Sequence, residues 1–501
     1  MNHHLTHALP FSRRGLAAIS LAVLFTGCTV GPNYKEPKIP VPDKFHAAPT
    51  TQVATTQVSA VLPPADLTHW WTSFNDPVLN QLIQQAVKEN LDLVTAQARV
   101  RQVRAQLGIA GAAEYPTLDA KGSYRHTRGA QGTGTSGVNA TGGAGGTETI
   151  VARTGTSERD IFIGNFDASW ELDVFGGTRR NIEAARADLG AQIASRNDTL
   201  VTLTAEVARF YVDLRGLQEE IRIAQQNLEA QRQTMELTRV KFNAGVASDL
   251  DVARAEAQVA TTAATIPNFE AQALTDIHHL AVLTAKEPGA LLNELTPVAP
   301  LPYSVPAIPV GLPSELLRRR PDIRVAERQL AAATARIGVA EADYYPKFSL
   351  NGSLGSQADT FKNMFRTSSI FYSIGPDVSW RIFDAGTIRF NVEVQNALQE
   401  QFLAQYKKVI LVALEDVENS LVNFNHEQTR NSSLQQAVAS NRRAVDLATQ
   451  LYNKGLNPFL DVLDAQRNLF AVEDQLSVSQ RALSVDLVAV YKALGGGWQI
   501  Q

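Results

Sequence analysis

The chain is two copies of one unit, and this constrains its fold more than any other feature. Residues 89–123 align with 319–353 without a gap: Ala96 falls on Ala326, Gly108 on Gly338, Tyr115-Pro116 on Tyr345-Pro346 and Gly122-Ser123 on Gly352-Ser353. Beyond a variable loop the match resumes over a long stretch. Trp170 falls on Trp380, Gly176 on Gly386, Asn243 on Asn453, Gly245 on Gly455 and Asp251-Val252 on Asp461-Val462. Chance similarity between two Ala-rich helical segments would not align two tryptophans, a Tyr-Pro and an Asn-x-Gly. The variable loop, 129–147, is Gly/Thr-rich and holds a G-x-G-x-x-G at Gly132, Gly134 and Gly137. A dinucleotide site needs a helix to follow that pattern; none does here, so the segment reads as a flexible loop. Pro-rich residues 296–312 read as an extended linker between the copies. The expected order is residues 69–295 as repeat 1, that linker, and residues 313–501 as repeat 2.

Within each copy the longest element is helical. From Arg179 to about Phe242 there is no proline, and Leu200, Leu203, Val207, Phe210, Leu214, Leu217, Ile221, Ala224 and Leu228 alternate spacings of three and four. That is the seam of a left-handed coiled coil. About 65 residues at 1.5 Å each would reach roughly 100 Å. At Asn243-Ala-Gly245-Val-Ala-Ser248 the helix must break, with Gly245 as a left-handed cap and Ser248 or Asp249 starting a return helix towards Thr284. Copy two repeats this: a helix from Thr387 to Tyr452, a turn at Asn453–Pro458, and a return to Leu494, with Pro458 suited to its first turn. A shorter helix, 77–111 or 313–342, precedes each.

Strands lie between the short and long helices. Phe162, Phe166, Ala168, Trp170, Leu172 and Val174 alternate with Asp167, Ser169, Glu171 and Asp173; in copy two, Tyr372, Ile374, Val378, Trp380 and Ile382 alternate with Asp377, Ser379 and Arg381. Strands are expected at about 115–125, 161–174, 345–356 and 371–383. A soluble sheet packed on helices would alternate too. Helices this long cannot fold back over such strands, however, and the chain carries an export signal. Four strands leave two open edges, which lipid does not tolerate, so several protomers would have to complete one barrel. Open edges require an oligomer without fixing its number.

The export signal is residues 1–27: Arg13-Arg14, then a short apolar run ending Phe25-Thr-Gly27 before Cys28. Cys28 is the only cysteine, so it has no intramolecular disulfide partner. It either belongs incidentally to the signal or is the acylated N-terminus of a lipoprotein, and the residues before it resemble bacterial lipoprotein sites. Phe25 stands where Leu is usual, and Thr29 is not the Asp that holds such proteins in the inner membrane. Residues 28–68 then form an acylated, extended N-terminal segment. No apolar run of transmembrane-helix length follows, so a membrane span would have to be made of strands.

Gly311-Leu-Pro-Ser-Glu-Leu-Leu-Arg-Arg-Arg-Pro-Asp-Ile323 resembles a signature of the TolC superfamily, in particular the outer-membrane lipoproteins of RND efflux systems. Cys28-Thr-Val-Gly-Pro-Asn-Tyr34, Trp70-Trp71, Leu463-Asp-Ala-Gln-Arg467 and Leu494-Gly-Gly-Gly-Trp498 resemble the family as well. The resemblance implies an α+β fold: coiled-coil hairpins forming a periplasmic α-barrel, and four antiparallel strands given to a trimeric 12-stranded outer-membrane β-barrel. It implies as partners two further copies of the chain, a periplasmic membrane-fusion adaptor, an inner-membrane RND transporter and outer-membrane lipid. Family members are narrowed at the periplasmic mouth on the last helix. Carried over, Leu460 is an apolar ring, Asp464 an acidic ring and Arg467 a latch to neighbours. These three lie at i, i+4 and i+7 and share a helix face; a plain surface Asp464–Arg467 pair is the simpler reading. Their counterparts in copy one are Leu250, Arg254 and Ala257. The turns at Gly245-Val246 and Gly455-Leu456 are expected adaptor-docking points, or simple caps.

Charge is nearly balanced, 46 basic against 50 acidic residues, and leaves no footprint for nucleic acid. No metal-ligand spacing, paired-His helix or G-x-S-x-G occurs, so neither a cofactor nor an enzyme is expected, and His278-His279 read as surface residues. Type I secretion would use the same fold, although an acylated N-terminus argues against it. A periplasmic adaptor would have one hairpin rather than two.

Overall fold

The computed structural model describes residues 29–46, 67–128, 158–302 and 313–499. Cys28 and the glycine-rich loop lie outside the described residues. The chain divides into two compact units, each assembled from separate stretches of sequence.

The first unit is built on a four-stranded sheet: β1 (Thr117–Arg128), β2 (Glu158–Leu172), β3 (Lys347–Ala358) and β4 (Ile370–Ser379), each antiparallel to the next. The two copies therefore join through β2 and β3. Register carries the alternation across all four strands. Leu118, Ala168, Gly352 and Ile374 lie in one row, and Ala120, Phe166, Leu354 and Tyr372 in the next. This apolar face is bare, with Tyr372 80% and Ile374 76% exposed. On the other face, Asp167 accepts hydrogen bonds from Asn165 (2.6 Å) and Ser353 (2.8 Å) and pairs with Lys121 (3.0 Å). β1 and β4 are the sheet's two edges. β4 stops at Ser379, whose partner Lys347 follows Pro346, a residue with no N–H to extend the ladder. Trp380, Ile382 and Phe383 thus fall outside the strand and remain exposed. The duplicated tryptophans make duplicated bonds: Trp170 Nε1 donates to the Glu114 carbonyl (2.9 Å) and Trp380 Nε1 to the Tyr344 carbonyl (3.0 Å).

The short helices are interrupted. Repeat 1 has α1 (Pro77–Glu89) and α2 (Leu91–Ala112). Asn90 divides them: its side chain accepts from the Asp92 and Leu93 amides and donates to the Leu283 carbonyl. Next come the long α3 (Gly177–Asn243) and the return helix α4 (Asp249–Leu283), which runs on through Pro267. After the one-turn α5 (Leu292–Leu295), repeat 2 supplies α6 (Pro313–Arg319), α7 (Pro321–Ala342), α8 (Thr387–Asn453) and α9 (Phe459–Ala493). The long helices α3 and α8 have 67 residues each, and the return helices 35 each, so duplication has preserved the hairpins to the residue.

The second unit gives several sequence motifs their physical role. Trp70 stacks on Tyr491 with ring centroids 5.2 Å apart. The terminal glycines let the chain fold close to it. Gly497 donates to the Leu67 carbonyl, a Cβ on Gly496 would lie 2.9 Å from the Trp70 ring, and Trp498 donates to the Arg319 carbonyl. Arg320 binds Asp322, Asp416 and the Ala493 carbonyl. The Arg-Pro-Asp and Gly-Gly-Gly-Trp motifs are thus one packed structure. Buried Arg215 holds the Leu295 and Pro297 carbonyls where the Pro-rich segment begins.

Candidate gate at the hairpin tips

Both hairpin turns are built alike. Gly245 takes φ +77° and donates to the Phe242 carbonyl while Val246 donates to Lys241; Gly455 takes φ +71° and donates to Tyr452 while Leu456 donates to Leu451. These paired bonds satisfy the last helical carbonyls. The return helices start differently. Ser248 caps α4 through a capping box with Asp251, whereas Pro458 is the residue before α9 and makes no side-chain cap. Pro458 thus lies one position outside the first turn that the sequence suggests. Val246 (73% exposed) and Leu456 (68%) stand bare at the two tips.

Behind the turns the two hairpins share a small core. Phe459, Val462 and Leu463 of α9 pack with Tyr452 of α8 and Ala255 of α4, with Met235 and Leu237 of α3 against them. Lys241 sits 3.7 Å over the Tyr452 ring and donates to the Tyr452 carbonyl at 2.6 Å. Gln466 donates to Thr234 Oγ1 at 2.8 Å.

While Phe459, Val462 and Leu463 face this core, Leu460 and Asp464 stand on the exposed side of α9. Leu460 is 48% exposed, and Asp464 accepts a long 3.3 Å bond from Asn468. Arg467 turns away from them. Its Nε donates to Gln258 Oε1 on α4 at 2.6 Å, and no ion pair joins Asp464 to Arg467 among the described residues. The plain surface pair is therefore not formed; in the single chain Arg467 joins the two hairpins. Gln258 itself is buried, with its amide nitrogen on Thr262. Sequence reasoning missed Gln258, a polar residue on the face that carries Val252, Ala255 and Thr262 into the core; a buried glutamine needs a partner.

Further along the helices lies a second polar cluster that the sequence reading missed. Arg481 of α9 crosses α3 at Gly216, where a Cβ would come 2.4 Å from its Cδ. Its guanidinium lies 3.4 Å from Glu220 and 4.0 Å from Asp213. Burial pushes the Glu220 carboxyl up to about 7, with Arg481 opposing, and burial pushes Asp276 up to about 6.

An amphipathic sheet with two open edges, combined with paired helical hairpins of this length, defines an outer-membrane channel. No described helix is long and apolar enough to cross a membrane. Residues 82–286 and 312–496 match the outer membrane efflux protein family. The chain is 33% identical over 477 residues to nodulation protein T of Rhizobium leguminosarum bv. trifolii, covering 95% of this chain and 96% of that protein. It is 36% identical over 438 residues to the pyoverdine export outer membrane protein OpmQ of Pseudomonas aeruginosa, covering 87% and 88%. Among solved structures, the outer-membrane channel OprN aligns with a TM-score of 0.83 at 35% identity, over 94% of this chain and 100% of that one. The chain belongs to the outer membrane efflux protein family and is an outer-membrane efflux channel.

Proposed function

We propose that this protein is the passive exit duct of a tripartite RND-type system, working without a catalytic step or cofactor. Three chains, each acylated at Cys28, contribute four strands apiece to one barrel and are gated at the periplasmic hairpin tips. An adaptor docks at Gly245-Val246 and Gly455-Leu456, and an inner-membrane transporter supplies the substrate. The observation that carries the gate is the division of α9 into two faces. Phe459, Val462 and Leu463 are committed to the tip core, which leaves Leu460 and Asp464 free to line a mouth.

In a trimer, Leu460 excludes hydrated solutes and three Asp464 carboxylates concentrate negative potential beside it. Like charges in a narrow opening repel one another, so closure needs a positive or cross-linking neighbour. Arg467 supplies it by holding α9 to the first hairpin. Single-channel recording in planar bilayers tests this. Leu460→Ala and Arg467→Ala should raise conductance, and Asp464→Asn should weaken cation preference or block by multivalent cations. If all three conduct like wild type, the constriction lies elsewhere. Labelled fatty acid should enter the wild-type protein and be absent from Cys28→Ser.

A further inference from the structure

Arg180, near the start of α3, is only 2% exposed. A buried guanidinium must satisfy its donors, and most of this one's partners come from one short segment about 150 residues away. Nε donates to the Val30 carbonyl at 2.9 Å, and Nη2 to the Gly31 carbonyl and to Asn33 Oδ1, both at 2.9 Å. Nη1 pairs with Glu183 at 2.7 Å. The Val30 amide donates in turn to the Phe175 carbonyl at 3.1 Å.

Glycines bring the backbones together. Gly31 takes φ +86°, and a Cβ there would lie 2.4 Å from the Cα of Gly338. A Cβ on Gly338 would meet the Val30 carbonyl and the Arg180 side chain at 2.9 Å, and one on Gly176 would meet Thr29 at 2.8 Å. The duplication supplies an internal control. Gly108, the twin of Gly338, has nothing within 4 Å of its Cβ position, and the twin of Arg180 is Phe390, which is 59% exposed. Two junctions of this kind exist but only one N-terminus, and the seat is built on only one of them.

We propose that Arg180, Gly176 and Gly338 form a docking site for the chain's own N-terminal segment, Thr29–Asn33. Docking fixes Thr29 beside Gly176, four residues past the end of β2 (Leu172). Resting on the reading of Cys28 as acylated, it delivers the acyl chains where the apolar strand face ends. The segment is then a seated part of the fold, with the anchor held against the barrel wall.

Hydrogen–deuterium exchange on the purified, detergent-solubilised full mature protein tests this through the Val30 amide, which donates to the Phe175 carbonyl. That amide should be protected in wild type and exchange at least about tenfold faster in Arg180→Met and in Gly338→Ala, since each lets the segment open locally without unfolding the sheet. Gly108→Ala should match wild type. Retained protection in β2 and β3 identifies variants that have folded. If Gly338→Ala fails that control, Arg180→Met decides alone. Wild-type exchange at free-peptide rates, or protection persisting in a folded Arg180→Met, overturns the proposal. Cys28→Ser should keep the segment protected, because the seat makes no use of the acyl group. Absence of fatty acid from the wild type would overturn acylation and leave the docking result standing.

Discussion

Gln258 and Glu220 carry the residue-scale chemistry that acts between helices. The Arg467–Gln258 bond at 2.6 Å involves a charged donor and a buried acceptor, a combination worth about 1.5–3 kcal/mol. Gln258→Leu keeps the volume and removes the acceptor. It should raise single-channel conductance as Arg467→Ala does, and the double variant should add nothing further, because both remove one link. Independent, additive increases would mean that Arg467 acts through something else. Glu220 predicts a pH dependence. Its carboxyl, held near 7, binds a proton in the folded protein over a range where an unfolded glutamate has lost it. The folded state binds more protons between about 4.5 and 7, so this group's contribution to stability falls as pH rises through that window. Melting of Glu220→Gln at pH 5.5 and pH 8 should show a flatter pH dependence than wild type. An unchanged slope would remove Glu220 as its source.

The hairpins depend on glycines for opposite reasons. At Gly216, in the middle of α3, alanine would improve helix propensity by about 1 kcal/mol. The added Cβ would nevertheless strike the Arg481 stem at 2.4 Å, so Gly216→Ala should destabilise by about 1–3 kcal/mol in thermal or denaturant melting. At Gly245 and Gly455 there is open space where a Cβ would go, and only the positive φ resists substitution. Alanine there should cost about 1–2 kcal/mol through backbone strain alone. This separates capping from docking. Val246→Asp and Leu456→Asp should leave stability unchanged while weakening adaptor capture in a pull-down. If the aspartate variants bind adaptor normally, the turns serve only as caps.

For the whole molecule the open sheet is decisive. β1 and β4 present unpaired edges, and the apolar face carries Leu118, Phe166, Leu354, Tyr372 and Ile374 uncovered. A lone chain in lipid would leave two rows of backbone groups without partners, at several kcal/mol per group. Native mass measurement in mild detergent should therefore find an oligomer, a trimer if the proposed 12-stranded barrel holds, and a stable monomer would sink the barrel. Ile374→Lys, on the bare face, should reduce assembly, with a cost of about 2–4 kcal/mol if the residue lies near the bilayer midplane.

What is local in this protein was legible in the sequence. The 2.0-residue period of Phe166–Leu172 and the 3-and-4 spacing of Leu200–Leu228 each report which face is apolar, a property of neighbouring residues alone. Gly245 and Gly455 mark turns because few residues other than glycine adopt their φ cheaply. The duplication, read from aligned tryptophans and Tyr-Pro pairs, carried the hairpin pattern from one copy to the other. Pairings between distant segments were left to the tertiary structure: β2 against β3 across the copies, Arg467 on Gln258, Arg481 over Gly216, and Arg180 on Val30 and Gly31. A periodic pattern marks a face as apolar without stating what covers it, and a charged residue on a helix looks the same whether it meets water or a carbonyl 150 residues away. Burial and partnership are properties of the assembled fold, so the raised Glu220 carboxyl and the redirected Arg467 emerge only once the helices are packed.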